Sequence, residues 1–160
     1  MSHWGKRRVV VTGLGMVTPL GNTVATTWSG LMAGQSGAGP ITKFDARDFS
    51  VRFACEVKGF DALNYIDKEH ARKTGPFTHY AIAASDEALA DSGLKITPQN
   101  AERIGTFVSA SIGSFQTLEL AHAKFLREGP ASIPPFLSES IFAHAAACEV
   151  SLRNADGSYA

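Results

Sequence analysis

Two cysteines and five histidines are the side chains in this sequence best suited to covalent or acid–base chemistry. They are Cys55 and Cys148, with histidines at positions 3, 70, 79, 122 and 144. A cysteine nucleophile needs an activating base, and a zinc site needs ligands at short, regular spacings. The sequence offers no recognisable cysteine–base pair and no metal-ligand spacing. We therefore predict no metal site, and interpret both cysteines as small, buried, apolar residues.

A glycine-rich turn near the start is the next candidate for chemistry. Gly13 and Gly15 follow three valines at residues 9–11, a pattern that predicts a central strand buried on both faces and running into a tight turn. A dinucleotide-binding fingerprint would need a third glycine at position 18, where this chain has Thr18. We therefore expect no cofactor. The glycines are interpreted as small residues that let a strand and a helix pack closely.

A third candidate is the basic group, defined here as Lys68, Arg72 and Lys73. These side chains lie at the start of a predicted helix and are interrupted by Glu69. Such a group is most often a solvated helix face. Alternatively, it is a docking patch that steers an acidic partner electrostatically. The residues alone leave both interpretations open.

Composition limits the class of protein. The chain has 160 residues, 44% of them hydrophobic and 19% charged, which predicts one domain with a packed core. Fifteen basic and fifteen acidic residues give no net charge, so we expect no nucleic-acid and no membrane partner. Two isolated cysteines suit a reduced, cytoplasmic protein. Residues 1–6 lack the apolar core of a signal peptide and are interpreted as a leader or tag-like segment.

Helix and strand signals alternate along the chain, which predicts an α/β layered domain. The predicted elements are a strand at 9–11, a helix from Asn22 or Thr23 to Gly34, an edge strand at 49–57, a helix capped by Thr74 and ending at Gly93, a second central strand at 104–111, a helix from Ser114 to Gly129, and a last helix at 141–152.

Taken together, these segments resemble the N-terminal part of a β-ketoacyl-acyl-carrier-protein synthase of the elongating, type II kind. The resemblance is carried by the opening strand and turn and by residues 22–37, 53–60, 71–93, 96–105 and 129–136. It implies the N-terminal half of a thiolase-like layered fold, an α/β architecture with a mixed sheet and helices on both faces. Residues 7–160 would then form a truncated thiolase-like N-terminal domain.

The resemblance also implies an activity. The family elongates acyl chains on acyl carrier protein in fatty acid biosynthesis by decarboxylative condensation with malonyl-carrier, using a nucleophilic cysteine and two histidines. The cysteine would fall a few positions after Ala160 and the histidines later, so no catalytic residue carries over. We therefore expect an inactive fragment. The alternatives are a non-catalytic protein that binds the carrier or pairs with a ketosynthase, and an engineered stand-alone scaffold.

Secondary sites follow from the same resemblance. Ile112 corresponds to an acyl-pocket residue in the turn after the second central strand. Phe136 and Leu137 correspond to a Phe-Phe pair near the dimer interface and the neighbouring subunit's pocket. The basic group falls where the family docks its acidic carrier. The implied partners are therefore acyl carrier protein and a second copy in a homodimer.

Departures from the family's pattern cluster at the pocket and interface. Residues 109–114 are Ser-Ala-Ser-Ile-Gly-Ser where the family usually has Gly-Ser-Gly-Ile-Gly-Gly. Cys55 and Cys148 replace usual glycines, Glu139 a usual proline and His144 a usual asparagine. This pattern fits relaxed functional constraint or redesign. In the family, a second half covers the helix around residues 80–90, so we expect an exposed apolar patch there and self-association.

Overall fold

The computed structural model describes residues 8–154, so the predicted leader at residues 1–6 lies outside it. In that range the helices are α1 (Val24–Met32), α2 (Lys68–Lys73), α3 (Pro76–Ser92), α4 (Phe115–Glu128), α5 (Leu137–Ile141) and α6 (Ala145–Asn154), with short 3₁₀ turns at Ala62–Asn64, Ala101–Arg103 and Pro130–Ser132. Strand β1 (Gly39–Pro40) pairs antiparallel with β2 (Phe53–Ala54), Gly39 lying opposite Ala54. No helix in this part of the chain is long and apolar enough to cross a membrane.

Local capping signals explain where the helices begin and end. Thr23 caps α1 by accepting a hydrogen bond from the backbone of Thr26, as predicted. Helix α3 ends at Gly93, also as predicted, but Gly75 rather than Thr74 is its N-cap. The Thr74 hydroxyl instead donates to the carbonyl oxygen of His70, 2.9 Å away. Proline at the first position of α3 loses no hydrogen bond there.

The C-terminal helices differ from the prediction in one respect. Helix α4 begins after Ser114 and ends before Gly129, as expected. The single helix predicted for residues 141–152 is instead two helices, α5 and α6, separated by an extended residue, Phe142 (ψ 147°). The extended backbone at Phe142 ends α5 and lets the chain turn before α6 begins.

The two predicted central strands are not paired in the structure, and the prediction that they are buried is wrong. Val9 is 93% exposed and Phe107 is 96% exposed. A strand is stabilised by hydrogen bonds from a neighbouring strand. Strand ladders among the described residues are confined to the β1–β2 pair and an isolated bridge between Thr18 and Gly21. Residues 9–11 and 104–111 therefore gain no strand partner within the described residues, and only residues 104, 106, 108 and 110 among them are half-buried.

Helix α3 lies at the centre of the packed core. Ile82 on α3 is 1% exposed, and Ala83 beside it is also buried, as are Ala146 and Val150 on α6. Because α6 packs along α3, the apolar patch expected on α3 is covered, and that prediction is wrong. The large exposed apolar side chains lie elsewhere, notably at residues 9–11, on α1 and on α4.

The turn at residues 13–16 packs directly on α3. A Cβ atom at Gly15 would collide with the carbonyl oxygen of Ala84, and one at Gly13 with that of Ala88. The interpretation of these glycines as residues that permit close packing is confirmed. Two α3 carboxylates hold the turn: Asp91 accepts from Leu14 N at 2.9 Å, and Glu87 accepts from Met16 N at 2.9 Å.

Candidate functional site

Helix α2, which carries the basic group, is held by a cap at its N-terminus and by a contact with α6. The Asp67 carboxylate caps the helix by accepting from the backbone N–H of His70 at 2.9 Å, and this bond lowers the pKa of Asp67. The imidazole Nε2 of His70 lies 2.8 Å from Oε2 of Glu149 on α6. The exposed face of α2 is therefore held in a fixed position relative to the core.

The structure divides the basic group into two parts. Lys68 and Arg72 are four residues apart on α2, so they share one helix face. Both are exposed, and neither makes an ion pair within residues 8–154. Lys73 instead binds Glu69, with Nζ 2.6 Å from Oε1, a contact that raises the pKa of Lys73 and lowers that of Glu69. The face available to a partner is therefore Lys68 and Arg72.

Helix α5 links the predicted pocket and interface residues. Gly113 has φ +81°, and Ser114 N donates to the carbonyl oxygen of Ile141 at 3.1 Å, which seats the turn on the end of α5. Phe136 and Leu137 stand at the other end of this five-residue helix, about 7.5 Å away along its axis. The side chain of Ile112, beside Gly113, is 65% exposed. The fold thus places all three predicted residues on or next to α5.

Both cysteines are free and exposed, so their interpretation as buried apolar residues is wrong. Cys55 directly follows the two-residue strand β2. Cys148 lies two positions from the buried Ala146 and Val150, which places it on the opposite side of α6. Within residues 8–154, neither thiol hydrogen-bonds to a histidine, and no group of three or more His, Cys, Asp or Glu residues could hold a metal ion.

His79 is the histidine whose surroundings most clearly affect its proton affinity. Its Nε2 lies 2.9 Å from the hydroxyl of Thr74. Burial lowers the pKa of His79 below its usual 6.5, and the nearby charge of His70 lowers this pKa further. His79 is therefore neutral at pH 7, and its contact with Thr74, in the link between α2 and α3, fits a structural role.

A cleft that the sequence prediction missed lies between residues 41–56 and the first turns of α3 and α4. Its volume is about 710 Å³. Aromatic rings are its most frequent lining groups: Phe44, Phe49, Phe77, Tyr80 and Phe115. Phenylalanines at 44 and 49 are a signal visible in the sequence. Their place in the same cleft as Phe77 and Phe115, however, depends on how the loop folds over the helices.

Comparison with known protein families adds a match over nearly the whole chain. The model of the β-ketoacyl synthase N-terminal domain matches residues 6–155. A 3-oxoacyl-[acyl-carrier-protein] synthase 2 of Vibrio cholerae serotype O1 is 46% identical over 147 residues, covering 92% of this chain and 36% of the relative. The protein of that name from Staphylococcus aureus is 39% identical over 146 residues, covering 91% of this chain and 35% of the relative. The chain thus spans about a third of the length of these curated relatives.

Solved structures resemble this one closely. A structure described as the ishigamide ketosynthase/chain length factor has a TM-score of 0.75 and 31% identity, covering 92% of this chain and 37% of that chain. A type II PKS acyl-carrier protein in complex with its ketosynthase gives a TM-score of 0.76 and 26% identity, covering 96% of this chain and 40% of that chain. These likenesses confirm the predicted α/β fold class, the N-terminal half of a thiolase-like fold.

Proposed function

Because the chain belongs to the β-ketoacyl synthase family through its N-terminal domain, we propose that it is the carrier-docking part of a ketosynthase. The complete enzyme would elongate acyl chains on acyl carrier protein by decarboxylative condensation with malonyl-carrier, as in fatty acid biosynthesis. The names of the curated relatives support this proposal. So does the structural neighbour solved with an acyl carrier protein. We place the protein in the cytoplasm on the same grounds.

The exposed Lys68–Arg72 face is the observation that carries the docking proposal. Two like charges at i and i+4 on a helix cost about 0.2–0.5 kcal/mol, and an acidic partner would relieve this repulsion. Because His70 and Glu149 tether α2 to α6, the two cations are already positioned and little backbone order is lost on binding. Ile112, Phe136 and Leu137 would then form part of the acyl pocket and dimer interface of the complete enzyme.

Charge reversal on this face tests docking. Labelled acyl carrier protein is titrated at low salt against the chain and against a K68E/R72E variant. We expect affinity to fall at least about tenfold, and the difference to shrink as salt screens the charges. The matched control is Lys95→Glu, beyond the far end of α3 and about 25 Å away along that 17-residue helix. Equal affinity of the double variant and the wild type would refute docking here.

We further propose that residues 1–160 alone do not catalyse condensation. Cys55 and Cys148 are exposed, and among the residues that the structure describes neither has the histidine partner that activates a nucleophilic thiol. Incubation with an acyl-carrier donor followed by intact-mass analysis should show no acyl adduct. A stable adduct on either cysteine would contradict this proposal. Docking without an adduct would support the alternative of a non-catalytic carrier-binding or ketosynthase-pairing protein. Absence of both carrier docking and an acyl adduct would favour the alternative of an engineered stand-alone scaffold.

Self-association is the last part of the proposal. The apolar side chains at residues 9–11 and at Phe107 are exposed, and unpaired apolar strand segments favour pairing with another chain. We expect light scattering to report dimers or larger species at micromolar concentration. A compact monomer that unfolds cooperatively would contradict this expectation.

A further inference from the structure

The cleft between residues 41–56 and the helix starts, called here the aromatic cleft, has a wall fixed by hydrogen bonds. The Glu56 carboxylate accepts from the Thr42 hydroxyl at 2.6 Å, from Thr42 N at 3.1 Å and from Lys43 N at 3.3 Å. These bonds lower the pKa of Glu56, so it is ionised at neutral pH and holds the two strands of the loop together. The cleft is thus bounded by a bonded loop on one side and by two helices on the other.

The lining of the aromatic cleft suits a small organic molecule. Its volume of about 710 Å³ falls in the range of about 300–1,000 Å³ typical of such sites. Phe44 and Phe49 lie edge to face with ring centroids 5.6 Å apart, a spacing at which a third ring can pack against either one. Ile112, Phe136 and Leu137 do not line the cleft, but Gly113 and Ser114 do, so the cleft adjoins the turn that carries Ile112.

Charges around the aromatic cleft nearly cancel. Lys43 opposes Glu56, whose pKa it helps to lower. The remaining carboxylate, Glu119, stands on α4. Helices α3 and α4 both begin at the cleft without a side-chain cap bond, and each helix N-terminus carries about half a positive charge. A ligand with a full charge of either sign would gain little electrostatic attraction in this cleft and would lose the hydration of its charge. A neutral ligand has no such desolvation cost.

The serine hydroxyl of the wall, that of Ser114, is closed off from the cleft. Ser114 is 5% exposed, and its hydroxyl faces Gly75, where an added Cβ atom would collide with the Ser114 Oγ. The aromatic and nearly charge-neutral lining therefore decides which ligand fits. We propose that the aromatic cleft is a binding site for a neutral, mainly apolar molecule with an aromatic ring. This inference is independent of carrier docking.

Fluorescence titration with N-phenyl-1-naphthylamine, a neutral aromatic amine that joins a naphthalene to a phenyl ring and brightens in apolar surroundings, tests the proposal. We expect saturable binding of one molecule per chain. Ala54→Phe fills the cleft and should weaken binding at least about tenfold. A F44A/F49A variant should weaken binding by a similar factor. Because Phe44 and Phe49 are both more than half exposed, we expect the F44A/F49A variant to keep the fold. It therefore tests the proposal even if the Ala54→Phe variant does not fold, and circular dichroism checks the fold of both variants.

Two controls separate the cleft from other apolar surface. Leu126→Ala removes an exposed apolar side chain on α4 outside the cleft and should leave affinity within about twofold. The anionic analogue 8-anilino-1-naphthalenesulfonate should bind this site at least about tenfold more weakly than the neutral probe. Unchanged affinity in the F44A/F49A variant, or equal binding of the two probes at the cleft, would overturn the proposal.

Discussion

Glu87 is predicted to hold the opening turn and α1 on the core. One carboxylate oxygen accepts from Met16 N and the other from Val24 N, each at 2.9 Å. Val24 is the first residue of α1, so the carboxylate also lies at the positive end of that helix. Replacing Glu87 by alanine removes both acceptors and leaves two partly buried N–H groups without a partner.

The magnitude follows from those two bonds. A hydrogen bond to a charged group contributes about 1.5–3 kcal/mol, and partial access of water reduces the loss. We expect Glu87→Ala to lower the free energy of unfolding by about 2–4 kcal/mol. With a urea m-value of about 2 kcal/mol/M, the unfolding midpoint should fall by about 1–2 M. Circular dichroism at 222 nm follows this transition, because α3 and α4 supply most of the helical signal.

A matched control is the carboxylate one helical turn further along α3. Asp91 accepts a single exposed bond from Leu14 N, so Asp91→Ala should cost under about 1 kcal/mol. Glu87→Gln keeps one acceptor but places its amide NH₂ group against the other N–H. Its loss of unfolding free energy should therefore lie between those of Asp91→Ala and Glu87→Ala. Amide exchange should become faster at Met16 and Val24 in particular. A Glu87→Ala variant within about 0.5 kcal/mol of wild type, or as stable as Asp91→Ala, would refute the reasoning.

Two further predictions concern the same core. Gly15→Ala should lower the unfolding free energy by about 2 kcal/mol or more, because the new Cβ collides with the Ala84 carbonyl. Thermal melts measure this loss, with Gly34→Ala as the control. No atom lies within 4 Å of a Cβ added at Gly34, so that substitution costs only the strain of its left-handed backbone (φ +64°), about 1 kcal/mol. Because burial lowers the pKa of His79, the imidazole binds a proton at higher pH in the unfolded chain than in the folded one, starting near pH 6.5. Protonation as the pH falls therefore favours the unfolded chain, and stability is lost on acidification. His79→Gln removes this titration, so the urea midpoint of that variant should fall less between about pH 7.5 and 5.5. An unchanged pH dependence would argue against this role.

Local signals in the sequence predicted the helices well. The threonine cap of α1, the proline at the start of α3 and the glycines that follow α3 and α4 act on the backbone within a few residues. The family was also predictable, because its motifs are distributed along the whole chain. The assignments of Ile112, Phe136, Leu137 and the basic group stay predictions, although the structure places the first three on or next to α5.

Exposure was much harder to predict. The valines at 9–11 are strand-forming residues, but a strand is buried only when other segments pair with it and pack on it. Cys55 and Cys148 are small and moderately apolar, yet their places just after β2 and on the outer side of α6 leave them exposed. Residue type describes a tendency to be buried, whereas burial depends on which distant segments lie alongside.

The sequence by itself determined the positions of α1, α3 and α4, the close approach of Gly13 and Gly15 to a helix, and the family. Each depends on neighbouring residues or on motif order. Only the tertiary structure decided that Glu149 on α6 lies against His70 on α2. It also decided that loop residues 41–56 enclose the aromatic cleft. These features arise from contacts between segments far apart in the chain, whose free energies depend on three-dimensional distance and are not encoded in local spacing.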